Sequence, residues 1–289
     1  MVEHAKDMGR RGLQRWGDKL IGAVGRYLGR HRRYPWVSKL RRLIARLHAA
    51  AENRDYDMDR NGESRILDCL SRAQPARVIF DVGANTGDWS HRAARAMPEA
   101  TIHAFEVVPS TFALLRETVQ ALPQVRPVNM GLSDQEGVLD IHHDPVYPAL
   151  ATSVNGFSEG FHHYQPQVAS LPVIKGSQYC KEQGIEHIDL LKIDVEGHEP
   201  QVLKGFESML QAGAIDVIQF EYGYVNIDTH YLLKDYYDYL GELGMRIGKI
   251  FPNYVEFREY QHKHEDFYGP NFLAVRSSQE TLIRALSGK

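Results

Sequence analysis

Residues 78–90 read VIFDVGANTGDWS, and this stretch decides the fold. Val78 to Val82 is an apolar, β-branched run broken only by Asp81, as in a strand buried on both faces. Gly83 and Gly87 follow, and Asp88-Trp89-Ser90 opens a helical pattern. A strand, a glycine turn and a helix form the first unit of a doubly wound sheet, whose ligands sit beyond the carboxyl ends of the strands. Glycine lets the backbone turn tightly and approach a ligand with no Cβ in the way.

The next strand ends in Glu106, 23 residues beyond Gly83. A carboxylate at that position accepts hydrogen bonds from ribose hydroxyls, so the pair implies a ribose-containing cofactor. The loop nevertheless lacks the dinucleotide fingerprint G-x-G-x-x-G, because Asn85 stands at its second glycine. Asp88 at the helix start disfavours a pyrophosphate there and argues against a nicotinamide cofactor. It suits a ligand with cationic groups, such as the ammonium and sulfonium of S-adenosylmethionine. The bland alternative is that the glycines only make a tight turn.

Around this unit helix and strand alternate. The pattern predicts helices over 63–73, 87–97, 110–121, 199–211 and 229–243, and strands over 77–82, 101–106, 126–130, 188–194 and 215–221. Residues 137–142 read as a short extra strand. Residues 143–175 read as an irregular, substrate-facing insertion. Three strands near 245–250, 254–258 and 271–276 close the pattern with no helix between them, so that edge is expected to be antiparallel. The whole is α/β, a Rossmann-like, mostly parallel sheet with right-handed crossovers.

IDLLKIDVEGHE, residues 188–199, is the second informative stretch. Asp194 emerges at a strand end, with Glu196, His198 and Glu199 close behind, and Glu221 ends the following strand. Carboxylates gathered at one rim raise each other's pKa values. A Mg²⁺ or Mn²⁺ ion held by Asp194, Glu196 and Glu221 would explain them. So would general-base catalysis by Asp194, His198 or Glu221 on a hydroxyl. Helix capping by Glu196 and solvation of Glu199 are the structural alternatives. Lys192 reads as an ion-pair partner of Asp194 more readily than as a catalytic lysine. His162-His163, beside Phe161 and Tyr164, reads either as lining for a polar groove or as ordinary surface.

The bulk numbers frame these readings. The chain has 289 residues, 43% hydrophobic and 25% charged, an ordinary soluble composition. Two cysteines make no disulfide framework and no CxxC motif exists, which favours a reducing compartment. No apolar run approaches the roughly 18 residues of a membrane span, and no secretory h-region forms. The expected location is cytoplasmic.

The net charge of −3 hides an asymmetry: residues 1–50 hold 13 Lys and Arg against 3 acids, and the remainder 21 bases against 34 acids. Residues 1–60 are read as a helical extension and 61–289 as the catalytic domain. Leu13, Trp16, Leu20, Val24, Tyr27 and Leu28 share one helical face amid arginines, and Trp36, Leu40, Leu43, Ile44 and Leu47 share another after Pro35. Such a basic amphipathic pair, over residues 10–48, suits an anionic membrane surface, here the inner face of the cytoplasmic membrane, or packing on the main domain or a second subunit. Nucleic acid is disfavoured because the body is acidic.

FDVGANTGDWS, HAFEVVPSTFALL, NMGLSDQEG and IDLLKIDVEGHEPQVLKGF, taken in order, resemble the successive motifs of FkbM-type S-adenosylmethionine-dependent methyltransferases. NGESRIL at 61–67 resembles the lead-in segment of some members, and the likeness covers about residues 60–276. It implies a class I methyltransferase fold, with seven strands and an antiparallel last strand. It also implies that Asp81, Gly83, Asn85 and Gly87 form the cofactor loop, that Glu106 takes the ribose, and that Ser133 and Asp134 lie near the adenine. Asp194 and Glu196 match the acidic motif on the reaction side. Members often carry Glu-Pro after the second strand, where this chain has Glu106-Val107-Val108-Pro109, and the position of His198 varies among them. The expected function is O-methylation of a sugar hydroxyl in a bacterial polysaccharide or glycolipid. The alternatives are methylation of a soluble natural product or nucleotide sugar, or a silent cofactor-binding module recruited through its N-terminal helices.

Overall fold

Two units make up the chain, residues 1–52 and 53–289. The computed structural model describes residues 2–144, 146–155, 165–269 and 271–288, with the backbone alone at 2–15 and 148. The first unit is α1 (Val2–Arg30) and α2 (Pro35–Ala51). Tyr34, held extended before the proline, separates them. Pro35 sits at the start of α2, where its missing N–H costs no hydrogen bond.

The second unit runs α3 (Glu63–Ala73), β1 (Val78–Val82), α4 (Asp88–Ala96), β2 (Thr101–Phe105), α5 (Pro109–Val119), β3 (Val125–Val128), β4 (Gly131–Ser133), β5 (Gly137–Asp144), β6 (Tyr147–Thr152) and β7 (Gln167–Lys175). It continues with α6 (Gly176–Gln183), β8 (Ile188–Ile193), α7 (Glu199–Gly205), α8 (Glu207–Gln211), β9 (Ile215–Glu221), α9 (Val225–Thr229), α10 (Leu233–Glu242), β10 (Met245–Phe251), β11 (Tyr254–Phe257), β12 (Asn271–Arg276) and α11 (Glu280–Leu286).

The main sheet has the order β11-β10-β12-β9-β8-β1-β2-β3. β3, β2, β1, β8 and β9 are parallel, and β12 enters antiparallel between β9 and β10. The class I methyltransferase strands are therefore all in place, with β11 added at the edge. Successive residues of each central strand feed opposite cores. Ile79, Leu190 and Val217 pack on one face, and Phe80, Leu191 and Ile218 on the other. That two-sided burial is why these strands read as unbroken apolar runs.

The chain winds outward from β1 through β2 to β3, then returns to lay β8 on the other side of β1. This reversal opens the crevice in which doubly wound sheets bind ligands. It brings the loop after β1 and the loop after β8 face to face.

Two expectations change. The segment 143–175 is not irregular where described: β6 and β7 join β4 and β5 in a second sheet of order β4-β7-β5-β6. β7 pairs with β5 across some thirty residues of chain, and the prolines and aromatics of the segment mask that pairing. Helix α11 also follows the last strand, burying Leu282, Ile283 and Leu286. His162-His163 lies outside the described residues.

Candidate active site

A cavity opens at the β1–β8 crevice, between the carboxyl ends of the main sheet and the second sheet. Its cofactor-side wall begins at Gly83 (φ +81°), where a Cβ would lie 1.8 Å from the backbone carbonyl oxygen of Asp194. Only glycine lets the two loops touch there. Asn85 is also left-handed, and its side-chain oxygen is buried with no partner among the described residues. The Asn85 N–H donates to Glu106 at 3.0 Å and the Val108 N–H donates to the other carboxylate oxygen at 2.8 Å. Burial pushes the Glu106 carboxyl up to about 7, although these N–H groups oppose the shift. Val107, Met130, Gly131, Leu132, Leu139 and Ile141 make an apolar stretch of wall beside it.

Four expected cofactor residues do not line the cavity. Asp81 is fully buried below it, where its carboxylate accepts from Ser90 Oγ (2.7 Å) and from Lys192 Nζ (3.3 Å). Gly87 serves helix packing, since a Cβ there would meet Leu115 at 2.7 Å. Ser133 and Asp134 lie behind the wall. Ser133 Oγ donates to Asp134 (3.2 Å) and meets His198 Nε2 at 2.9 Å.

The opposite side carries the acidic cluster. Asp194, Glu196 and Glu221 each offer an oxygen within 4.8 Å of the others. Glu221 Oε2 is buried with no hydrogen-bond partner among the described residues. Burial, reinforced by the neighbouring carboxylates, raises the Glu196 and Glu221 carboxyls well above the ordinary range. Lys192 lies beneath, 3.1 Å from Asp194, which is the ion pair expected from sequence, with Asp81 as a second partner. Burial opposes its charge, but Asp194, Asp81 and Glu63 outweigh that and raise its pKa.

Glu199 is not solvated. It is fully buried, and its carboxylate accepts from the Val195 and Gly197 N–H groups, which fixes the loop carrying Glu196. Glu196 itself is left-handed at φ +50°. His198 sits between Ser133 and Ser153, with Nδ1 3.1 Å from Ser153 Oγ, and burial lowers its pKa against the opposing pull of Asp134, which favours the neutral ring.

Several cavity residues carry no local signal in the sequence. Glu63 is held by the side-chain amides of Asn61 and Gln219, both at 2.7 Å. Thr152 and Ser153 arrive from β6 and the residue after it, and Tyr56 and Asn271 complete the rim.

The chain matches the family described as the methyltransferase FkbM domain over residues 81–247. It is 28% identical over 180 residues to the hexuronic acid methyltransferase AglP of Haloferax volcanii, covering 61% of this chain and 70% of that protein. It is 29% identical over 155 residues to the 2-O-methyltransferase NoeI of Sinorhizobium fredii, covering 50% of this chain and 63% of that one. It is 33% identical over 158 residues to the 31-O-demethyl-FK506 methyltransferase FkbM of Streptomyces tacrolimicus, covering 46% and 61%. The matched regions thus span between 61% and 70% of these relatives' lengths. The family match takes in the loop after β1, the end of β2, the acidic cluster and the crevice between them, and the chain belongs to the FkbM family of S-adenosylmethionine-dependent methyltransferases.

Proposed function

We infer that this chain is an O-methyltransferase acting on a sugar hydroxyl of a glycan or glycolipid. The observation that carries the reading is one cavity with a cofactor wall at Gly83–Glu106 and a carboxylate cluster opposite, at Asp194, Glu196 and Glu221. One relative bears the name of a hexuronic acid methyltransferase and another that of a 2-O-methyltransferase.

The residues present fit S-adenosylmethionine. Glu106 offers an acceptor to ribose hydroxyls, the bare backbone at Gly83 permits close approach, and the unpartnered Asn85 oxygen can accept from the ligand. When bound, the cofactor supplies an electrophilic methyl group.

The chain's own tasks are then alignment of the acceptor hydroxyl and removal of its proton. Asp194, Glu221 and the neutral His198 are the groups positioned to accept that proton or to orient the hydroxyl. Asp194, Glu196 and Glu221 also fit a hard divalent cation in ligand type and spacing. Such an ion would lower the pKa of a bound hydroxyl.

Alanine at both Asp194 and Glu221 tests the reading. Retained cofactor binding with methyl transfer lost supports it, and unchanged transfer overturns it.

A further inference from the structure

We propose that the N-terminal helices dock the protein on an anionic lipid surface, as a peripheral layer at the headgroup level. This goes beyond the reading of the active site and does not depend on which hydroxyl is methylated.

Helix α1 carries Trp16, Leu20, Val24 and Tyr27 at spacings of four, four and three residues, so they form one stripe. All four are exposed, Trp16 at 77%. On α2 the exposed Trp36, Leu43, Ile44 and Leu47 repeat the pattern. Around these stripes, residues 16–51 hold nine Lys and Arg and a single acid, Asp18. Arg32 and Arg33, in the turn between the helices, and Arg41, Arg42 and Arg46 on α2 are all exposed.

Each feature selects among occupants. Apolar stripes bounded by arginine and lysine match the two zones of a bilayer surface, where the apolar face sinks to the acyl boundary and the cations meet phosphates. Tryptophan and tyrosine favour that same interface. Two copies meeting on this face would set like charges against each other. A nucleic acid would use the arginines but would leave the leucine and isoleucine unused. Among the described residues no helix is long and apolar enough to cross a membrane, so the contact is a surface one.

The test uses the full chain with vesicles of phosphatidylcholine alone and of phosphatidylcholine mixed with phosphatidylglycerol, read by co-sedimentation and by tryptophan fluorescence. Trp89 is buried, so a blue shift reports Trp16 and Trp36. The expected result is binding to the anionic vesicles only, with a blue shift, weakened by salt. A variant with Arg41→Gln, Arg42→Gln and Arg46→Gln should bind on the order of a hundredfold less, at about 1 kcal/mol per base. Retained S-adenosylmethionine binding shows that this variant is folded. Equal binding to both vesicles overturns the electrostatic part. Absence of vesicle binding overturns the proposal, whether the protein is then a monomer, a dimer closed over these stripes, or bound to a nucleic-acid probe.

Discussion

The backbone carbonyl of Asp194 lies 1.8 Å from the point where a Cβ on Gly83 would sit. The loop after β1 and the loop after β8 are therefore in close backbone contact. Gly83→Ala should strain a φ of +81° and drive the loops apart. A loss on the order of 3 kcal/mol in stability is expected, together with loss of cofactor binding. Thermal denaturation and calorimetry check both.

As the proposed ribose acceptor, Glu106 should make cofactor affinity pH-dependent. Its carboxyl is raised from 4.5 to about 7 by burial, so the folded protein without cofactor holds a proton that the unfolded chain has released. The stability from this group is fully present below pH 4.5 and is lost as pH rises to about 7. Ribose hydroxyls donate best to the ionised form, so cofactor binding expels that proton. Affinity for S-adenosylmethionine should tighten as pH rises through about 7, and Glu106→Gln should bind weakly with a flat profile. Titration calorimetry over this range reads the slope.

Lys192→Met tests the floor of the site. The ammonium is nearly fully buried between Asp81 and Asp194, and Asp81 has no exposure at all. Removing the cation leaves a buried, unpaired carboxylate, at a cost of about 3–5 kcal/mol. Chemical denaturation should show that loss. A change near zero would contradict this account of the pair.

The cation site proposed at the carboxylate trio predicts metal dependence. Treatment with a chelator should remove most methyl transfer and added Mg²⁺ or Mn²⁺ should restore it, while cofactor binding stays. Full activity in the chelator would reduce Asp194, Glu196 and Glu221 to acid–base and orienting roles.

Much of this was legible because the signals are local. Val78 to Val82 with Gly83 fixes a strand and its turn within six residues, and Ile188 to Ile193 with Asp194 does the same. Those two segments alone locate the crevice, because strand order reverses between them. What stayed hidden depends on distant pairing. β7 finds its partner β5 across a run of prolines and aromatics, and β6, paired with β5 at Thr152 and His142, carries Thr152 and Ser153 to the cavity unannounced. Glu63 reads as an ordinary helix-start acid until Gln219, 156 residues away, bonds to it. The family resemblance implies a cofactor role for Asp81, whereas its carboxylate meets Ser90 and Lys192 below the cavity floor. Ser133 does not line the cavity but sits behind His198, which does.

The most direct measurement is transfer of an isotopically labelled methyl group from S-adenosylmethionine to oligosaccharide and glycolipid acceptors, with the product's linkage read by NMR. The account predicts an O-methyl ether on a sugar ring carbon, formed by the wild-type chain and lost with alanine at Asp194 and Glu221. Label appearing on nitrogen, on carbon or only on a non-carbohydrate acceptor would contradict it.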